Sequence, residues 1–167
     1  DVSVMRTRLD DRLDSEPLFE ERFVALIGDS HPLASRPSLR LGGLVNEPLL
    51  LFDRHVGPSV YDKILSMWDA AHLKPHTVEH QPPPYAQGAM MLVASRQGYY
   101  LGIASAYTQS HNAGGVAVVP LDEPDARLDV LIAWHRHDSS KLVREFVRSA
   151  REVFPLEPHG VRSRTAR

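Results

Sequence analysis

Residues 49–52 read LLLF, four apolar side chains in a row, and GPSVYDKILSMWDAAH follows almost at once. A four-residue apolar run is too short for a helix and carries no polar face, so it reads as a short strand buried in a core. In the next segment Val60, Ile64 and Trp68 recur every four residues, with Tyr61 and Leu65 beside them, which is a helical stripe. Pro58 suits the first helical position, where a missing N–H costs nothing. The spacing therefore predicts a helix over 57–72, and Pro75 lies just beyond it. This strand-then-helix unit recurs along the chain. HTVEH (76–80) is strand-like, QPPPY breaks the chain, and AQGAMMLVASRQG reads as a second helix closed by Gly98. YYLGIA (99–104) is a strand, SAYTQSHNAGG a short helix ending at glycine, and VAVVPL (116–121) and LDVLIAWH (128–135) are strands. Strands alternating with helices predict an α/β fold with a largely parallel sheet.

The two ends fit the same plan. DVSVMR alternates apolar and polar residues as a strand does, TRLDDRLDSEP reads as a loop, and LFEERFVALI (18–27) as a strand. GDSHPLASRP is rich in turn residues, and SLRLGGLVNEP has room only for a short helix because Gly42 and Gly43 weaken it. His31-Pro32 is expected to end the strand before it, since proline holds its neighbour extended and cannot donate to a ladder. At the other end SSKLVREFVRSAREVF (139–154) carries Leu142, Val143, Phe146, Val147, Ala150, Val153 and Phe154 as one apolar stripe, with Ser139 as a cap. PLEPHGVRSRTAR beyond it reads as a frayed tail. The opening strand has no element before it, so the chain reads as a piece of a longer protein.

Composition narrows the function. A hydrophobic fraction of 43% supports a sizeable core, and a net charge of -2 creates no strong field that would draw nucleic acid or a membrane surface directly. The absence of cysteine removes disulfide and thiolate chemistry and fits a reducing compartment. No apolar h-region opens the chain and no apolar run reaches membrane-spanning length, so the expectation is a cytoplasmic chain.

Chemical motifs are weak. His72, His76 and His80 are spaced by four, but Pro75 interrupts the helix that would align them, and His135 and His137 alternate at a strand end. Neither set predicts a metal site. There is no Gly-x-Ser-x-Gly elbow, no P-loop and no dinucleotide fingerprint, so nothing supports an enzyme. Small-molecule binding remains. DRHVGPSVYDK places Arg54 and His55 just before a helix start, where the free N–H groups of Ser59, Val60 and Tyr61 favour an anion, with the Ser59 hydroxyl as a further donor or as the helix cap. HQPPPYAQG brings Gln81, Tyr85 and Gln87 to a second helix start. Helix starts at strand ends are where open α/β sheets bind ligands.

The order of PLFEERFVALIGDSHPLA, LVNEPLLLFDR, GPSVYDKILSMWDAAHLKPHTVEH, MLVASRQGYYLGIASA, GVAVVPLDEP and LDVLIAWHRHDSSKLVREFVRSARE resembles the effector-binding domain of LysR-type transcriptional regulators from Asp1 to about Phe154. The resemblance implies a type 2 periplasmic-binding-protein-like fold, with two α/β lobes joined by two crossover strands and an effector in the cleft. It implies that residues 23–131 form the second lobe, that 1–22 and 132–155 are the remainder of an incomplete first lobe, and that 156–167 are a flexible tail. The family's N-terminal winged helix-turn-helix is absent, so DNA contact would require the longer protein. The family pattern has Gly where Arg96 stands and Val-Pro where Gly102 and Ile103 stand, so the pocket shape there is expected to differ.

The resemblance assigns effector contact to Pro58, Ser59 and Val60, to Ile103 and Ser105, and to Arg6. With Arg54, His55, Gln81 and Tyr85 these are the candidate site residues. The expected effector is a small organic acid or aromatic compound, since a helix start with Arg6 or Arg54 suits a carboxylate. No cofactor is implied. The resemblance also implies a homodimer, tetrameric in full-length relatives, with helix 57–72 as the dimer surface through Tyr61, Ile64, Met67 and Trp68. The expected function is allosteric control of transcription; a transporter's solute-binding protein of the same fold is the alternative.

Overall fold

A computed structural model describes residues 1–6, 11–79, 86–107, 114–138 and 140–154. The chain divides into two compact units, unit 1 of Asp1–Glu20 with Asp129–Arg167 and unit 2 of Glu21–Leu128. Two long strands run from one unit into the other, β2 (Leu13–Gly28) and β7 (Arg127–His135). No helix among the described residues is long and apolar enough to cross a membrane.

Unit 1 holds β1 (Val2–Met5), the first half of β2, most of β7 and α4 (Lys141–Val153). β1 pairs antiparallel with β7 from Val2↔Trp134 to Met5↔Leu131, and β7 lies between β1 and β2. The stretch LDSEP, read above as loop, is strand. Pro17 is tolerated there because within unit 1 this half of β2 is an edge strand, the setting in which a missing N–H costs little. Val143 and Val147 of α4 pack on Leu18 and Ile132. The α4 stripe divides: Val143 and Val147 are buried, whereas Leu142, Phe146 and Val153 stay exposed. The cap is Ser140, whose hydroxyl accepts the Leu142 N–H at 3.2 Å; Ser139 lies outside the described residues.

Unit 2 is built on the second half of β2, where Phe23 through Ile27 are all buried. β5 (Tyr100–Ile103) pairs antiparallel with Phe23–Leu26, and β6 (Val116–Pro120) antiparallel with Val24–Gly28. β3 (Pro48–Leu51) pairs parallel with β4 (His76–Glu79) and bridges parallel to Tyr99. So β4, β3 and β5 run the same way, linked by α1 (Pro58–Ala70) and α2 (Ala86–Ala94), as the repeated strand–helix unit requires. The largely parallel sheet expected from the sequence is corrected to a mixed one, because β2 threads in antiparallel beside β5. A 3-10 helix, Leu41–Leu44, buries both its leucines, and α3 is a single turn, Ala104–Tyr107.

The core of unit 2 claims α1. Ile64, Met67 and Trp68 are 1–2% exposed, and Tyr61 is half-buried against Phe52. Ile64, Met67 and Trp68 are therefore not available for the dimer surface expected above, since this part of the stripe is taken up by the unit's own core, whereas Tyr61 keeps part of its surface open. The outward face carries Asp62, Ser66 and Asp69.

Glycine is required at Gly98. Its φ is +152°, and a Cβ there would lie 2.3 Å from the Pro48 carbonyl oxygen, where β3 and β5 bridge. Gly98→Ala is expected to destabilise by on the order of 3 kcal/mol, whereas Gly42→Ala, with nothing within 4 Å, changes stability by under about 1 kcal/mol. Urea unfolding followed by tryptophan fluorescence checks the contrast; equal midpoints for the two variants would refute it.

Candidate functional site

The parallel run of β3, β4 and β5 puts the carboxyl ends of all three at one edge of the unit 2 sheet. The described segments leaving that edge are 52–60 and 104–107. β2 runs opposite to β5, so its first residue in unit 2, Glu21, lies at the same edge. The structure thus gathers Pro58–Val60, Ile103, Ser105 and Glu21 at the place where such sheets take ligands.

Sequence reasoning missed Glu21. At 7% exposure it is the one charged residue among the buried side chains described. The Ser105 hydroxyl donates to its Oε1. The register explains the meeting: Phe23 pairs with Ile103, and Glu21 and Ser105 each lie two residues further toward the edge. A signal was present in strand parity, since Glu21 alternates with Phe19 and Phe23 and shares their face. A buried carboxylate without a donor is costly, and a hydroxyl bond to a charged acceptor offsets part of that cost. Because its proton is committed to Glu21, Ser105 presents lone pairs, not a donor, to anything else that reaches it.

Ser105 is held by aromatic packing. Tyr107 is buried in α3, and its ring lies against Gly102, where a Cβ would sit 2.2 Å from Cε2. Tyr100 and Tyr107 stand edge to face at 6.1 Å with their hydroxyls hydrogen-bonded, and burial raises both phenols above their ordinary value. Phe52 touches Tyr100 and Tyr61, with ring centroids 6.1 Å apart in each case. Gly102 is thus the residue that admits Tyr107.

At the start of α1, Gly57 is the N-cap and gives no side-chain cap; its carbonyl accepts the Tyr61 N–H at 2.9 Å. Ser59 therefore does not cap its helix, and Tyr61 is not a free donor. The N–H groups of Ser59 and Val60 have no partner among the described residues and point out of the helix end. Arg54 is committed: Nε and Nη2 each reach the Asp62 carboxylate at 2.7 Å, a two-pronged ion pair at the surface. Each partner favours the other's charge, holding Asp62 below and Arg54 above their ordinary values. His55 is exposed, with Nδ1 2.7 Å from Asp53 Oδ1. Arg6 is exposed in unit 1 just after β1. Gln81, Tyr85 and His80 lie outside the described residues. Among the described residues no group of three or more His, Asp or Glu could hold a metal.

Comparison with known proteins agrees with this architecture. The family model of the LysR substrate binding domain matches residues 1–155. An uncharacterized HTH-type transcriptional regulator of Escherichia coli, YnfL, is 32% identical over 148 residues, 87% of this chain and 48% of its own length. The regulator BenM of Acinetobacter baylyi is 25% identical over 142 residues, 84% of this chain and 45% of its own. The chain spans about half the length of the curated relatives it matches. The crystal structure of full-length BenM superposes with a TM-score of 0.79 at 26% identity, over 92% of this chain and 50% of that one. The BenM effector-binding domain with its effector benzoate gives a TM-score of 0.82 at 24% identity, over 98% and 75%. The chain belongs to the LysR substrate-binding domain family and has its type 2 periplasmic-binding-protein-like fold.

Proposed function

We propose that this chain is the sensing half of a cytoplasmic transcriptional regulator, and that a small organic acid binds at the unit 2 edge described above. The observation that carries the reading is the pairing, at one sheet edge, of two N–H groups at the start of α1, without a partner among the described residues, with a hydroxyl fixed by a buried carboxylate. The N–H groups of Ser59 and Val60 suit a carboxylate. Ser105, its proton given to Glu21, suits a hydroxyl or amino group on the same molecule. Ile103 supplies an apolar wall; Arg6 belongs to unit 1 and has no part in this reading. Arg54 contributes by bracing the start of α1 against Asp62 rather than by meeting the ligand itself.

BenM, whose effector-binding domain is known with benzoate, supports the class of ligand. Relatives named as transcriptional regulators weigh against a transporter's solute-binding protein and against an enzyme. In this reading the chain acts by allostery. The ligand favours one of two arrangements of a dimeric or tetrameric protein and so biases DNA binding by the N-terminal part of the longer polypeptide.

Calorimetry of the full-length protein against a panel of small organic acids is expected to find at least one binder, with hydroxylated or aminated acids ahead of their unsubstituted parents. A panel without a binder would sink the proposal. Ser105→Ala is expected to erase that preference and to weaken binding roughly tenfold, about 1.4 kcal/mol. It also strips Glu21 of its hydroxyl donor, so the unfolding free energy should fall by about 1–3 kcal/mol. Gly102→Ala displaces the Tyr107 ring, and with it α3, and is expected to cost at least as much affinity; an unchanged affinity would show that α3 does not meet the ligand.

A further inference from the structure

The far end of β2 borders a cleft. It lies beside Gly28 and has a volume of about 290 Å³. At roughly 30 Å³ per water, that is space for about ten non-hydrogen atoms. It is an open cleft whose lining residues all belong to unit 2, at the end of β2 opposite to Glu21, so it is separate from the edge assigned to the effector. Ile27, Leu44, Pro48 and Val93 give it an apolar floor. Tyr99 also lines it, 2% exposed, with its hydroxyl buried and lacking a hydrogen-bond partner among the described residues.

Two opposite charges border the same space. Arg96 donates from Nη2 to the Ser30 hydroxyl at 2.9 Å. That uses one of its five N–H donors, and no carboxylate among the described residues pairs with it. Glu47 faces His31, with Oε2 3.4 Å from Nε2. The Leu33 N–H donates to Nδ1 of that imidazole at 3.2 Å, so Nε2 is the nitrogen that holds a proton toward Glu47. The Glu47 charge also reaches Tyr99, and with burial it raises the phenol well above its ordinary value. The site thus has a cationic donor, an anionic acceptor and an apolar pocket within one small volume.

Arg96 is held there against local preference. It follows α2 with φ +61°, in the left-handed region that favours glycine. Its N–H reaches the Val93 carbonyl, and that of Gln97 the Leu92 carbonyl, so the backbone performs a helix-ending turn for which a glycine would suffice. A long charged side chain at such a position is strained, and strain of this kind gathers at ligand clamps.

From these observations we propose that the cleft is a second ligand site that takes an α-amino acid with an apolar side chain. Its carboxylate binds Arg96 and Ser30, its ammonium group Glu47, and its side chain the floor of Ile27, Leu44 and Val93. A simple organic acid would leave Glu47 facing a like charge, and a simple amine would leave Arg96 unpaired, so the zwitterion is the ligand that answers both.

The test is calorimetry of the full-length protein with L-leucine and L-phenylalanine. 4-Methylpentanoate, which lacks the amine, and 3-methylbutylamine, which lacks the carboxylate, are the comparison ligands for L-leucine. L-Leucine or L-phenylalanine is expected to bind, with each comparison ligand at least tenfold weaker than L-leucine. Arg96→Gly separates binding from folding. It relieves the left-handed strain, so the Tm is expected to rise while amino acid binding is lost. Glu47→Gln is expected to weaken the amino acid at least tenfold and to narrow its advantage over 4-methylpentanoate. Hydroxylated organic acids carry no ammonium group for Glu47, so their titration of Arg96→Gly should match that of the unsubstituted protein, and failure at this site and failure of the effector reading are separately visible. No heat from either amino acid, or undiminished binding by Arg96→Gly, would overturn the proposal.

Discussion

Phe23–Ile27 is a run of five residues, every one of which is buried. Such a run can be satisfied only as a central strand, with a ladder on each side and side chains covered on both faces. Val24, Ala25 and Leu26 pair with β5 on one side and β6 on the other, and unit 2 is organised around that pairing. The antiparallel entry of β2 beside β5 has a further consequence. It sets the residues just before the buried run opposite those just after β5, which is how a glutamate and a serine 84 positions apart come to share a hydrogen bond.

That glutamate is expensive. A carboxylate taken out of water loses several kcal/mol of solvation unless its partners replace the lost interactions. An apolar residue at Glu21 would extend the buried face without that cost. The placement fixes the direction of the Ser105 hydroxyl, and through it the kind of group that edge can recognise. The ring cluster of Phe52, Tyr61, Tyr100 and Tyr107 makes the arrangement stiff, and Gly102 provides the space the cluster needs.

Much of this was legible in the sequence where periodicity is strong. The α1 stripe, the short buried LLLF strand and the start of α1 at Pro58 follow from spacing and from proline's fixed φ, and the family resemblance rests on the same segments. Three features were not legible, for identifiable reasons. LDSEP reads as a loop because local propensity ignores the ladder that β7 supplies. The apolar width of α1 looks like a surface for a partner because a sequence does not show how much core one unit needs; Ile64, Met67 and Trp68 are used internally. Arg54 looks like a ligand for an anion because its Asp62 partner lies eight residues away, across the start of the helix. Glu21 was readable by parity, but charged residues in strands usually face solvent, and that prior prevailed.

In the proposed function, unit 2 takes its ligand at the Glu21–Ser105 edge beside the start of α1. Hydrogen–deuterium exchange on the full-length protein, with and without an organic acid that binds it, tests this most directly. Slowed exchange is expected in peptides covering 58–61 and 103–107, with 28–47 unchanged. Protection confined to other segments, or none at the start of α1 and at α3, would contradict it.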